Sequence, residues 1–375
     1  MDFSLILSLF AGNFFALSWG NVLMISIGLI LIFLAIVKQY EPVLLLPIGF
    51  GCVLANLGMA ATPTGDGFLS VLYRAGIESE LFPLLIFIGV GGMIDFSPLL
   101  SQPYLALLGA AGQFGIYGTL LIATVLGFSL NEAASIGVIG AIDGPTAIFV
   151  AGKLAPHMLA PIAVAAYSYM SLIPIIQPPV MKLLTTRKER LIRMEYAPKV
   201  ISKTALIIFP IMVTIIISIL APDAAPLIAA LMLGNLLKES GVVDRLNQSA
   251  QNEIINVATL FLGLTIGATM TAESFLQLDT LLILGLGLLA FVMDTMAGLL
   301  FGKLMALITG GKINPLIGAC GISAFPMAGR LSAKMAQDED FENFILMHAM
   351  GSNTAGQLGS VIAGGLLLSL VINSI

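Results

Sequence analysis

The chain has 375 residues, of which 58% are hydrophobic and only 10% charged, against a usual ~45–50% and ~25%. That much apolar surface excludes a water-soluble domain, and the 39 glycines and 18 prolines mark apolar helices that are repeatedly interrupted. A net charge of -5 gives no basic surface to neutralise phosphates, which excludes a nucleic-acid partner.

A helix crossing a bilayer needs ~20 mostly apolar residues. The start, Met1-Asp-Phe-Ser, lacks the basic region and cleavage site of a signal peptide, so the first apolar run is expected to be kept as structure. The runs fall at 22–40, 43–60, 82–100, 104–128, 134–151, 158–181, 202–221, 224–238, 254–272, 279–309, 313–329 and 343–373. The expected fold is an all-α polytopic membrane protein of about nine to eleven spans. Runs 134–151 and 313–329 are short and broken by Gly and Pro, which predicts re-entrant hairpins. Irregular backbone at membrane depth is tolerated only where protein or a watery cavity satisfies it, so these segments are expected to line a site.

Between Lys182 and Lys203 lie seven of the 16 Lys and Arg residues: Lys182, Arg187, Lys188, Arg190, Arg193, Lys199 and Lys203. The positive-inside rule makes this loop cytoplasmic; the same charges suit either a topology signal alone or a docking surface for a soluble partner. Across the loop a weak internal repeat is visible. Phe87-Ile-Gly-Val-Gly-Gly-Met is answered by Phe261-Leu-Gly-Leu-Thr-Ile-Gly, Gly140-Ala-Ile-Asp-Gly-Pro by Gly321-Ile-Ser-Ala-Phe-Pro, and Tyr167-Ser-Tyr-Met by the region of Ser352-Asn-Thr. An odd number of spans per repeat would invert the halves and put a site near midplane at their interface. The expected order is scaffold spans in 1–80, a first repeat in 81–181, the basic loop 182–203, linking spans in 204–253 and a second repeat in 254–375. Gly109, Gly112, Gly115 and Gly118 recur at helical spacing and predict close helix packing. Cys52 and Cys320 have no paired spacing and read as core packing.

Ionisable groups in apolar segments cost about 2.5–3.5 kcal/mol each on insertion scales, so each is a candidate. Asp143 stands before the breakers Gly144 and Pro145, where its carboxylate and freed carbonyls can surround a hard cation such as sodium or simply cap a broken helix. In the second broken run, Asn314 and Ser323 offer neutral oxygens, and Arg330 offers a permanent charge that can receive an anionic group bidentately or anchor a helix end. Tyr169 and Asn353 sit in polar islands and fit proton donation and cation ligation, or interhelical hydrogen bonds. Asp95 and Asp294 also fall in apolar runs, as relay groups or paired ones; His157 and His348 lack metal-ligand spacing.

Taken together, Gly89-Val-Gly-Gly-Met-Ile-Asp-Phe, Gly140-Ala-Ile-Asp-Gly-Pro-Thr, Tyr167-Ser-Tyr-Met-Ser-Leu-Ile-Pro, Asn314 to Arg330 and Gly351-Ser-Asn-Thr-Ala-Gly-Gln make the chain resemble the beta subunit of the sodium-pumping biotin-dependent decarboxylases, which act on oxaloacetate, methylmalonyl-CoA or glutaconyl-CoA. The resemblance runs through nearly the whole chain. It implies an inner-membrane translocase subunit that decarboxylates carboxybiotin, consumes a proton and exports Na+. It places the family's aspartate on Asp143, its tyrosine on Tyr169, and its asparagine, serine and arginine on Asn314, Ser323 and Arg330. The expected sodium ligands are Asp143, Asn314, Ser323 and Asn353; Asp143, Tyr169 and Arg330 are the expected catalytic groups, with Arg330 also receiving carboxybiotin. Sodium and a proton would occupy Asp143 in turn. The implied partners are a biotin carrier, a carboxyltransferase, a small membrane-anchored subunit, lipid and further copies of the chain. No Ala-Met-Lys-Met motif is present, so biotin is expected to arrive on a partner. The short chain favours a CoA ester as parent substrate. A secondary sodium-coupled carrier of a small organic anion shares these features except dependence on biotin, and a scaffold subunit without transport leaves the polar residues unexplained.

Overall fold

The computed structural model describes residues 17–62, 64–195 and 200–373; Met1-Asp-Phe-Ser and Lys199 lie outside them. All regular secondary structure among the described residues is helical. The main helices are α1 (Trp19–Val37), α2 (Pro42–Leu54), α3 (Leu81–Met93), α4 (Leu105–Ala111), α5 (Phe114–Val125), α6 (Leu130–Gly137) and α7 (Gly144–Leu154). They continue as α8 (Leu159–Leu184), α9 (Lys203–Leu220), α10 (Ala225–Ser240), α11 (Ile255–Thr269), α12 (Leu278–Ile308), α13 (Met327–Glu339) and α14 (Leu346–Ile372). Among the described residues seven helices are long and apolar enough to cross a membrane, or nine if each of two bent pairs counts as one span. The lower bound of the expected nine to eleven is reached only with the bent pairs.

Both bends have a chemical cause. The break between Phe68–Glu78 and Leu81–Met93 falls at Glu80, which has a left-handed backbone with φ 63°. Pro156–Met170 meets Leu172–Leu184 at 64° just before Pro174, which has no N–H to offer the carbonyl four residues back.

The chain divides into two compact units, Met1–Ser79 with Thr259–Leu281 and Glu80–Ala258 with Leu282–Ile375. In the first, a methyl on Gly28 of α1 would stand 2.7 Å from the Gly49 carbonyl of α2, the close approach that small residues allow between membrane helices. Asn56 closes this unit by donating to the carbonyls of Cys52 at 2.9 Å and Met270 at 2.8 Å. Cys52 is buried there and Cys320 in the second unit, both as free thiols, as their unpaired spacing implied.

In the second unit the glycine ladder works as its spacing predicts. A methyl on Gly109 would run into Ala355 of α14 at 2.5 Å; one on Gly112 would overlap the carbonyl of Gly321, and one on Gly115 the carbonyl of Ala290 in α12. Each glycine thus admits a different neighbour.

Both broken runs pass through a 3-10 turn and a break into a helix, and only the first is also entered from a helix. The first runs from α6 through Val138–Ala141 to the break at Ile142 and Asp143, then α7; the second runs from Pro315–Gly321 through residues 322–326 to α13. The breaks touch, because the Ser323 N–H donates to the Ala141 carbonyl at 3.2 Å.

The basic loop is drawn onto its neighbours. Arg190 pairs with Glu339 at 2.7 Å, Arg193 with Asp340 at 2.6 Å and Glu342 at 2.8 Å, and Lys303 with Glu189 at 3.2 Å. Much of the positive charge that marks topology is thus neutralised within the chain.

Candidate functional site

At the first break the backbone turns sharply: Ile142 takes φ 51° and ψ 43°, a left-handed conformation that a β-branched residue adopts at a cost of about 1–2 kcal/mol. This swings Asp143 out of helical phase to become the residue before α7, with Gly144 and Pro145 opening that helix. Asp143 is buried. Three side chains converge on its Oδ2: Thr146 Oγ1 at 2.8 Å, Gln357 Nε2 at 2.9 Å and Ser360 Oγ at 3.0 Å. All three are donors to the carboxylate oxygen when Asp143 is ionised. The Ser360 hydroxyl also lies 2.9 Å from the Gln357 carbonyl, so its one proton is shared between two acceptors.

The second break supplies oxygens from the other side. Ser323 is buried and its hydroxyl lies against the Asp143 carboxylate, although outside regular hydrogen-bond geometry. Asn353, fully buried on α14, donates Nδ2 to the Ile322 carbonyl at 2.8 Å and leaves Oδ1 without a partner. One carboxylate with neutral hydroxyl and amide oxygens suits a hard monovalent cation. Among the described residues there is no group of three or more His, Cys, Asp and Glu side chains that could hold a metal ion, so the donor set is wrong for a transition metal.

The 3-10 turn of the second run is held by amides. Gln177 Nε2 donates to the Ala319 carbonyl at 2.7 Å, and Gln113 Nε2 to Gly321 at 2.9 Å, Gly109 at 3.1 Å and Gly356 at 3.3 Å. Water is scarce at this depth, and an unpaired carbonyl there costs several kcal/mol.

The remaining expected residues fall elsewhere. Asn314 does not face Asp143. Its Oδ1 caps the 3-10 turn by accepting from Leu316 N at 3.0 Å, and its Nδ2 binds the carbonyls of Arg190 at 3.0 Å and Ile192 at 2.8 Å. Tyr169 donates its hydroxyl to the Leu284 carbonyl at 2.5 Å, with its ring against Gly287 of α12. The tyrosine beside Asp143 is Tyr167, whose ring covers Gly144 so closely that no side chain fits there. Arg330 is exposed in the first turn of α13 and makes no ion pair among the described residues. Asp95 is exposed and accepts from Ser97 N at 2.9 Å, a turn role rather than that of a buried acid. His157 pairs with Glu132 at 3.0 Å on the surface, and His348 is buried beside Gln102. Sequence reasoning missed Thr146, Gln357, Ser360 and Tyr167 as neighbours of Asp143. Only Thr146, three residues on in helical phase, carried a local signal.

Broken helices meeting at a buried acid in an all-helical bundle are the build of a polytopic membrane transport protein. Residues 20–371 match the family described as the Na+-transporting oxaloacetate decarboxylase beta subunit, and the chain belongs to that family. It is 53% identical to methylmalonyl-CoA decarboxylase subunit beta of Veillonella parvula, with 96% of each chain covered. It is 52% identical to glutaconyl-CoA decarboxylase subunit beta of Acidaminococcus fermentans, over 96% of this chain and 95% of that one. Identity to the oxaloacetate decarboxylase beta chain of Klebsiella pneumoniae is 45%, over 94% and 95%. The chain is thus a multi-pass membrane subunit of a multi-subunit decarboxylase.

Proposed function

We propose that this subunit decarboxylates carboxybiotin brought by a partner and uses the reaction to export Na+ across the cytoplasmic membrane. The observation that carries the reading is Asp143, a buried carboxylate with three donors on one oxygen, facing a second break that holds Ser323 and is bound by Asn353 of α14. Sodium binds the carboxylate with Ser323 Oγ and the otherwise unpartnered Asn353 Oδ1. Asn314 acts from a distance by fixing the start of the 3-10 turn, and Tyr167 walls the site beside Gly144; Tyr169 joins α8 to α12.

Carboxybiotin supplies an exergonic N–CO2 bond cleavage. Arg330, exposed and without an acidic partner among the described residues, has a free planar fork to receive its carboxylate. Moving one charge outward against 100 mV costs ~2.3 kcal/mol, so ion movement must be tied to each decarboxylation. The partners are a biotin carrier, a carboxyltransferase and a small membrane-anchored subunit, with further copies of this chain. The higher identities to the two CoA-ester enzymes support a CoA ester as the parent substrate.

The test is sodium uptake by inverted vesicles carrying the assembled complex. Asp143→Asn should lower uptake and decarboxylation together by about 100-fold, the effect of ~2.7 kcal/mol, and avidin should stop the wild type. Uptake that survives avidin belongs to a secondary carrier instead. Arg330→Lys keeps the charge but loses the fork, and should reduce turnover about tenfold while sodium affinity holds. Wild-type turnover in that variant removes Arg330 from the reaction.

A further inference from the structure

Among the described residues only two acids are buried, Asp143 and Asp294, and the reading above uses only the first. Asp294 lies near the middle of α12 with no exposed surface. Its surroundings differ from those of Asp143 in kind. Oδ1 accepts from the backbone N–H of Gly115 at the start of α5, and Oδ2 has no partner. The wall facing Oδ2 is Gly140, where a methyl would stand 2.9 Å away, with Ala290 beside it. No hydroxyl or amide side chain donates to Asp294, and no charged side chain among the described residues bears on it. From the packed elements, α5 brings Tyr117, whose hydroxyl donates to the Ala363 carbonyl. The 3-10 turn brings no titratable residue, and α12 carries Asp279 and Lys303 towards its two ends.

One oxygen among apolar atoms is a poor cation site, because sodium needs several oxygens at once. It is a good place for a proton, which needs one. A carboxylate with three donors and a carboxyl with a bare second oxygen, in one bundle, are a pair whose surroundings drive their protonation apart, and such pairs divide acid from base.

We propose that Asp294 carries the proton the reaction consumes while Asp143 carries the sodium. In this scheme Asp294 rests as the neutral acid, with its proton on the unpartnered Oδ2. On turnover the N–CO2 bond of carboxybiotin breaks and its electron pair stays on the ureido nitrogen. CO2 leaves, and that nitrogen gains the proton that Asp294 gives up. Asp294 is left as a carboxylate and takes a proton from the opposite face. Gly140 provides the coupling: it lies on Oδ2 three residues before Asp143, so a charge appearing on Asp294 acts first on the turn that carries the sodium ligand.

The inference rests on the assignment of sodium to Asp143, and the test separates the two. Asp294→Asn keeps an oxygen for the Gly115 N–H and the shape of the neutral acid. In the reconstituted complex it should bind sodium within about twofold of wild type yet lose about 100-fold in turnover, the low end of what a positioned proton donor contributes. Turnover within twofold of wild type overturns the proposal, since a merely structural neutral acid is replaced by Asn at little cost. If Asp294→Asn does not assemble, infrared spectra of Asp143→Asn decide. The C=O stretch of a buried protonated carboxyl must persist there, and its absence overturns the proposal. Normal sodium transport by Asp143→Asn would instead remove the sodium assignment, whatever Asp294 does.

Discussion

The two broken runs solve one problem in different ways. The first changes direction over two residues and concentrates the cost in Ile142, whose backbone is left-handed; its reward is an acid delivered to three donors. The second unwinds over residues 322–326 after a 3-10 turn, and its exposed carbonyls are met by Gln177, Gln113 and Asn353. All three amides spend their NH2 groups this way and leave buried oxygens without partners: Gln177 Oε1, Gln113 Oε1 and Asn353 Oδ1. The lesson is that a break at membrane depth can be stabilised by backbone strain or by borrowed donors, and borrowed donors bring spare acceptors with them.

The largest effect that separates the two runs should come from Gln113→Leu. It strands the Gly321 carbonyl and should cost about 1–3 kcal/mol, read as a lower thermal midpoint in detergent. An unchanged midpoint would mean that the second run does not depend on this amide. Next is Ile142→Gly, which empties a fully buried site but relieves the left-handed backbone, so it should cost about 1–2 kcal/mol less than the same change at the equally buried Ile139. Equal losses at the two positions would mean that the backbone of Ile142 carries no strain.

The smallest effect concerns the outer ends of the runs. Ser129, by donating its hydroxyl and N–H to the Glu132 carboxylate, with His157 nearby, holds that carboxyl below the usual range; Arg190 does the same for Glu339. A depressed carboxylate stabilises the fold above its unfolded value of 4.5, and that contribution fades as pH falls through the lower folded value. Amide exchange in the Arg187–Arg190 helix should therefore speed up below pH 4.5 and not between 5 and 8. Because these groups are only half-buried, the gain is modest. Exchange that ignores pH would show that covalent continuity with α8, rather than the ion pairs, holds the loop.

The positions of both breaks were legible because Gly and Pro interrupt otherwise uniform apolar runs. So were the all-helical class, the glycine ladder and the buried thiols. The composition of the site was less so. Gln357 and Ser360 reach Asp143 from 214 and 217 residues away, and no local pattern announces that. Tyr167 and Tyr169 are two residues apart, which on a helix is ~200° of rotation, so choosing between them needs the helix's phase against its neighbours. Asn314 had suitable chemistry in a suitable segment. The structure spends its amide on the loop carbonyls of Arg190 and Ile192 because those sit at the mouth of the same turn. Asp95 and Asp294 look alike by hydropathy, but the turn before Pro98 carries the first outwards while α12 carries the second through the middle of the bundle.

Gln113 has one further consequence. Its NH2 group has two protons and faces three carbonyls, those of Gly109, Gly321 and Gly356, within 3.3 Å. One acceptor is always sharing. The amide therefore acts as a rivet through three layers: one side chain joins α4, α14 and the 3-10 tip where the glycine contacts bring them together.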